Sequence, residues 1–277
     1  MPFEDSFYFF HPIADKSGIK AMLIFDFDGV LINSLDEVVL TTYNAATGSL
    51  CTSLAQVPAD LVHMFKNNRF HVQPIGDAIA LMNWCLINWQ KDLQKILTPE
   101  EYQTIARNSD IALTDRTNLI YDTRQRFIDR NTKRWLALHQ PYQPLWNELI
   151  RRKNYPFVIL TNKNHDATLR LCRHFGLQIN ADDIYSGDHG VTKIENMLRI
   201  HERFGQLQFS FIDDSIKNLK ELDHHFNRGK KVLSLALAAW GYIGAEDAGM
   251  APESGYPAFQ QTDVVRLLDR QKVSYLE

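Results

Sequence analysis

The segment FDFDGVLINS, residues 25–34, places two carboxylates, Asp26 and Asp28, where the apolar run AMLIF (21–25) stops. Similar polar groups follow three later apolar runs. Thr161, Asn162 and Lys163 come directly after PFVIL (156–160), GDHGVTK leads from DIYSG (183–187) to Lys193, and Asp213 and Asp214 end FSFI (209–212). If these runs are parallel strands, their carboxyl ends form one rim, the place where open α/β sheets bind ligands. Four carboxylates gathered there repel one another unless a cation neutralises them. An all-oxygen donor set selects a hard ion such as Mg²⁺. The hydroxyl, the amide and the ammonium suit the oxygens of a phosphate.

The runs themselves support that placement. They are continuous rather than alternating, as expected for strands buried on both faces, and a fifth, KVLSLALA (231–238), follows them. Helical patterns of about a dozen residues separate the later runs, the rhythm of βαβ units. TKIENMLRIHERFG opens with the capping box Thr192-x-x-Glu195 and stops at Gly205, which makes Lys193 the first helical residue and puts Ile194, Met197, Leu198 and His201 on one face. A lysine at that position opposes the helix macrodipole, so a function would explain it. NHDATLRLCRHFG is predicted to be a second sheet-covering helix, with Leu169, Cys172 and Phe175 on a face and Gly176 as its stop.

Between Ser34 and His139 the rhythm breaks. No strand pattern occurs there, while Ser34-x-x-Glu37, Pro58 and Thr98-Pro99-Glu100-Glu101 mark helix starts. The segment FKNNRFHVQPIG (65–76) reads as a loop between two helices, RQRFIDRNTKRW (124–135) as a solvated helix face, and Trp84 and Trp89 as core of this helical insertion.

Composition fits a globular chain with a large core. Of 277 residues, 45% are hydrophobic, and the net charge of −3 gives no basic excess for nucleic acid or an anionic membrane. The most apolar helical stretch, AIALMNWCLINW (78–89), is too short to span a bilayer. The N-terminal segment MPFEDSFYFFHPIADK lacks the basic start of a signal peptide, and three scattered cysteines form no disulfide or zinc pattern. These features make a cytoplasmic location the expectation.

The ordered set FDFDGV, VILTNK, GVTK and FIDDS resembles the four motifs of the haloacid dehalogenase-like hydrolase superfamily, and the helical insertion after the first motif resembles its C1-type cap. The tail LALAAWGYIGAED is similar to a segment of phosphoglycolate phosphatase-like members. The resemblance implies an α/β fold: a Rossmann-like parallel-sheet core (residues 1–33 and 140–277) flanked by helices, with a helical cap at 34–139. It implies a Mg²⁺-dependent phosphatase acting on a small phosphorylated metabolite, with β-phosphoglucomutase-like transfer and a catalytically silent phosphate-ligand sensor as alternatives. Asp26 would be the nucleophile and Asp28 the general acid and base; Thr161, Asn162 and Lys193 would bind phosphate. Asp26, the Asp28 carbonyl, Asp213 and Asp214 would hold the metal. In the cap, Arg69, with Lys66 nearby, would select the substrate. The sequence departs from many relatives at Asn33, at Asn218 and after Lys193, where the common proline is missing.

Each group also has a plainer reading. Thr161 and Asn162 suit any loop, Lys193 could be a solvated lysine, and Asp213, Asp214 or Ser215 could cap the next helix. His189, between two glycines, reads as a loop residue.

Overall fold

The computed structural model describes residues 21–152, 156–205 and 208–273, so the N-terminal segment read above for targeting lies outside the described residues. The chain divides into two compact units, one reaching to Asn33 and resuming at Pro141, the other spanning Ser34–Gln140.

The first unit is built on a six-stranded sheet. Strands β1 (Ala21–Phe25), β4 (Phe157–Leu160), β5 (Ile184–Tyr185), β6 (Gln208–Asp213), β7 (Leu233–Ala238) and β8 (Ala258–Phe259) lie in the order β5-β4-β1-β6-β7-β8. All five pairings are parallel. Two further short strands, β2 (Ile32–Asn33) and β3 (Gln140–Pro141), fall at the chain junctions between the units. The apolar runs therefore became strands because both faces are buried: Met22 and Ile24 face one side, Leu23 and Phe25 the other, and each is at most 3% exposed. Met22 and Ile24 join Val158, Leu160, Phe209 and Phe211 in a core closed by Met197, Ile200, Leu219 and Leu222 from the helices Lys193–Phe204 and Ile216–Phe226. The short β8 and the helix Gln261–Val273, which buries Val264, Leu267 and Leu268 at i, i+3 and i+4 spacing, are additions to the expected elements.

The helix Lys193–Phe204 begins as expected, with Thr192 and Glu195 exchanging both capping-box hydrogen bonds. Its buried stripe differs from the sequence reading. Lys193, Asn196, Met197 and Ile200 face inward, while Leu198 is 43% exposed. At 100° per residue a stripe centred on Met197 and Ile200 cannot also bury Leu198.

The second unit contains five helices, Leu35–Thr47, Ala59–Asn68, Asp77–Asn88, Pro99–Arg107 and Leu113–Leu136. Thr98 caps the fourth with a full capping box. Two readings change. The segment 65–76 is only partly loop, since Phe65–Asn68 complete a helix and Arg69–His71 form a 3₁₀ turn. The basic run at 124–135 is not wholly solvated, because Arg124 is buried and grips Glu37 through Nε and Nη2, at 2.7 and 3.1 Å. Thr41 Oγ1 donates to the same carboxylate at 2.7 Å, so the buried charges are paired and hydrogen-bonded. Trp84 and Trp89 are half-buried rather than core. The fully buried tryptophans are Trp135 here and Trp146 in the first unit.

Candidate active site

Strand β1 sits where the order of crossovers reverses: the chain goes from β1 to β4 and β5 on one side, then returns to β6 beside β1 on the other. This switch point is the expected ligand crevice of the fold. Register puts the acids together. Phe25 pairs with Ile212, and Asp26 N donates to Ile212 O at 2.9 Å, which sets Asp26 beside Asp213 on neighbouring strands. One oxygen each of Asp26, Asp213 and Asp214 lies within 4.8 Å of the others. The structure thus brings together residues far apart in sequence, and Lys193 joins them with Nζ 3.0 Å from Asp26 Oδ1 and 2.6 Å from Asp213 Oδ2.

Electrostatics follow from burial. Desolvation pushes the Asp26 carboxyl up to about 7; the Lys193 ammonium opposes this, and the neighbouring Asp213 adds to it. Burial alone would weaken the charge on Lys193, yet Asp213 and Asp26 overcome it and raise its pKa. Asp213 is completely buried and its donors are in place: Ser215 N at 2.8 Å on Oδ1, and Asn218 Nδ2 at 3.0 Å beside Lys193 on Oδ2. The capping of the next helix falls to Ser215, whose side chain accepts from Asn218 N.

Asp28 turns to a different lysine. Lys163 Nζ lies 3.1 and 3.4 Å from its two carboxylate oxygens, and the Lys163 side chain is 1% exposed. Thr161 is buried at the end of β4, and its Oγ1 accepts from Lys163 N at 3.1 Å. Its own O–H is therefore free of that bond and can point outward as a donor. Asn162 is exposed on the same turn. Sequence reasoning placed Lys163 on the rim but gave it no role.

Asp214 is held by the segment after β7. Tyr242 N donates to Asp214 Oδ2 at 2.7 Å, Tyr242 Oη to Asn33 Oδ1 at 3.1 Å, and Trp240 Nε1 to Val30 O at 3.0 Å. Gly29 and Gly241 flank this carboxylate so closely that a Cβ on either would overlap Asp214. Gly29 also has φ +89°, the left-handed conformation that only glycine adopts readily. Tyr142 completes the surroundings: burial raises its phenol pKa, and Asp214 and Asp28 add to that shift. Gly241, Tyr242 and Tyr142 were not identified as site residues, although the WGY tripeptide was a signal for the first two.

The residues fit a divalent cation. All candidate donors are oxygens, and Asp26 Oδ1 is buried with the Lys193 ammonium 3.0 Å away and no hydrogen bond of good geometry. Ionised, the three clustered carboxylates Asp26, Asp213 and Asp214 with the one ammonium of Lys193 are two charges negative, which one Mg²⁺ balances.

The two cap residues expected to select substrate make bonds within their own unit. Lys66 Nζ pairs with Asp36 Oδ1 at 2.5 Å, and Arg69 Nη1 donates to Val72 O at 3.1 Å.

Comparison with known proteins bears on the fold. No protein-family model matches the sequence. No curated protein matches it either. Among solved structures, the chain is similar to a haloacid dehalogenase-like family hydrolase from Streptococcus pneumoniae, at 15% identity over 91% of this chain and 99% of that one, with a TM-score of 0.53. A predicted phosphoglycolate phosphatase from Haemophilus somnus aligns at 16% identity, 89% and 97% coverage and a TM-score of 0.52. A predicted phosphatase from Clostridium acetobutylicum gives 13%, 91% and 99%, and 0.53. The chain has the haloacid dehalogenase-like fold, a Rossmann-like α/β core with a helical unit inserted after β1.

Proposed function

We propose that the protein is a Mg²⁺-dependent phosphatase of the haloacid dehalogenase-like superfamily, hydrolysing a small phosphomonoester through an aspartyl-phosphate on Asp26. The observation that carries this reading is the buried ammonium of Lys193 between Asp26 and Asp213, at the sheet's switch point and beside Asp214.

Asp26 attacks phosphorus, and Lys193 favours the ionised form of that carboxylate against burial and orients it while drawing charge from the phosphoryl oxygens. Thr161 donates its O–H to one of those oxygens, with Asn162 beside it. Asp28 protonates the departing alkoxide and then takes a proton from the water that cleaves the aspartyl-phosphate. Asp26, the Asp28 carbonyl and Asp214 would hold Mg²⁺, with Asp213 behind them. When bound, the ion supplies the positive charge that lets an anionic carboxylate approach an anionic phosphate. Arg69 and Lys66 are the residues of the inserted unit assigned to substrate selection.

A panel of phosphorylated metabolites and p-nitrophenyl phosphate, assayed with Mg²⁺ and with EDTA, tests this reading. Phosphate release that EDTA abolishes, with a phosphoryl adduct mapped to Asp26 by mass spectrometry, is the expected result. Tight binding of a phosphorylated compound with no release would favour the sensor, and isomerised product would favour the mutase. The net charge of −3 offers no basic excess for nucleic acid, which fits a small-molecule substrate.

A further inference from the structure

We propose that Lys163 is a positioning residue that aims Asp28, holding its carboxylate plane so that one oxygen faces the leaving group. The inference rests on the assignment of Asp28 as general acid and base.

The turn that carries Asp28 does not need Lys163. Gly29 N donates to Ile32 O at 2.8 Å, and Leu31 N and Ile32 N both donate to Phe27 O at 3.0 Å, so the backbone from Phe27 to Ile32 is closed by its own bonds. What those bonds leave open is the last torsion of the Asp28 side chain, which is broad and nearly two-fold in a free aspartate. Lys163 restrains it, since one ammonium reaches both oxygens of a carboxylate that is 22% exposed.

Lys163 is itself fixed. Its amide is tied to Thr161 Oγ1 immediately after β4, and its side chain is 1% exposed. Burying an ammonium is unfavourable unless a partner compensates it, and a solvated surface pair would not need such burial. The geometry thus spans the ends of β4 and β1: the turn bearing the phosphate-binding hydroxyl also carries the group that orients the acid. A protonated Asp28 can donate from one oxygen while the other still accepts from Lys163. The proton then sits on the oxygen turned away from the lysine. Proton transfer depends on that alignment.

Proton donation matters most when the leaving alkoxide is poor, so the test compares leaving groups. Steady-state kinetics are measured on p-nitrophenyl phosphate and on the alkyl phosphomonoester hydrolysed fastest, for wild type, Lys163→Met, Lys163→Arg and Asp28→Asn. Lys163→Met should lose roughly 10- to 100-fold in kcat on the alkyl substrate, a part of the usual acid-base contribution. It should lose no more than about threefold on the aryl substrate, whose leaving group hardly needs the proton, with KM little changed on either. Lys163→Arg should recover part of the alkyl activity. In an Asp28→Asn background, Lys163→Met should add no further selective loss.

Equal losses on both substrates at an unchanged melting temperature, or a rise in KM alone, would overturn the proposal and make Lys163 a phosphate ligand or a scaffold residue. If Lys163→Met does not fold, the same ratio is read from Lys163→Arg and Lys163→Gln. Selective loss in Asp28→Asn without selective loss in the Lys163 variants refutes only the role of Lys163. Loss in Asp28→Asn that ignores the leaving group refutes the assignment of Asp28 and the present proposal with it.

Discussion

Lys193 Nζ stands 2.6 Å from Asp213 Oδ2, joining the first residue of one helix to the last residue of β6. A lysine there works against the helix dipole, and burial works against its charge. Asp213 answers both costs, leaving the ammonium to face Asp26. Asp213 is thus an anchor for Lys193 as well as a candidate metal ligand.

The metal-binding carboxylates should therefore separate. Asp214→Ala should weaken Mg²⁺ binding in calorimetry more than Asp213→Ala does. Lys193 and Asn218 donate to Asp213 Oδ2 and Ser215 N to its Oδ1, so that carboxylate is already engaged within the protein. Asp213→Ala should instead lower stability, because it leaves a buried ammonium with one partner fewer. The reverse order of Mg²⁺ affinities would show that Asp213 is the principal ligand.

Asp26→Asn should abolish turnover and leave the fold intact, since the side chain lies at a strand end and the apolar core beneath it is untouched. Circular dichroism and melting temperature check the fold, and phosphate release checks the chemistry. Residual turnover with wild-type substrate preference would remove Asp26 as nucleophile.

Metal binding should release a proton near neutrality. Burial raises the folded, metal-free Asp26 to about 7, well above the ordinary value of about 3.9. Between those limits the folded protein holds a proton that the unfolded chain has released, so this group makes the metal-free protein less stable as pH rises through that window. Mg²⁺ must displace the same proton. Its apparent affinity should then climb with pH and level off above about 7, and calorimetry at pH 6.5 in buffers of different ionisation enthalpy should detect the release. Binding that is independent of pH across that range would place the metal away from Asp26.

Gly241→Ala should cost about 1–3 kcal/mol, the range for overpacking a tight interior, and should weaken Mg²⁺ binding as well. The added methyl would overlap Asp214 and stand 2.6 Å from Gly29 O. Thermal melts with and without Mg²⁺ separate the two effects. A variant that melts and binds metal like wild type would show that the WGY segment yields freely.

Arg69→Ala should raise KM for a metabolite bearing a second anionic group, because an arginine can clamp such a group bidentately, and should spare p-nitrophenyl phosphate. Equal loss on both would assign it a structural part, such as the bond to Val72 O, and no loss on either would exclude it from recognition.

The strands and most of the acidic set were legible in the sequence because their signals are local. A doubly covered parallel strand must be continuously apolar, so Asp26, Asp213 and Thr161 stood out as the first polar residues at strand ends, and a capping box fixed Lys193 as the start of its helix. Other features depend on residues that meet only in the folded chain. Lys163 reads as an ordinary turn lysine until β4 is set against β1 and Asp28, 135 residues away, reaches its ammonium. Arg124 reads as solvated until Glu37, 87 residues away, comes beside it. The need for glycine at position 241 arises because Asp214 and Gly29 pack against that backbone. Periodicity reports which face of an element is apolar, within a turn or two along the chain. Which charge a buried side chain meets depends on strand order and register, and those are set only when the whole core packs.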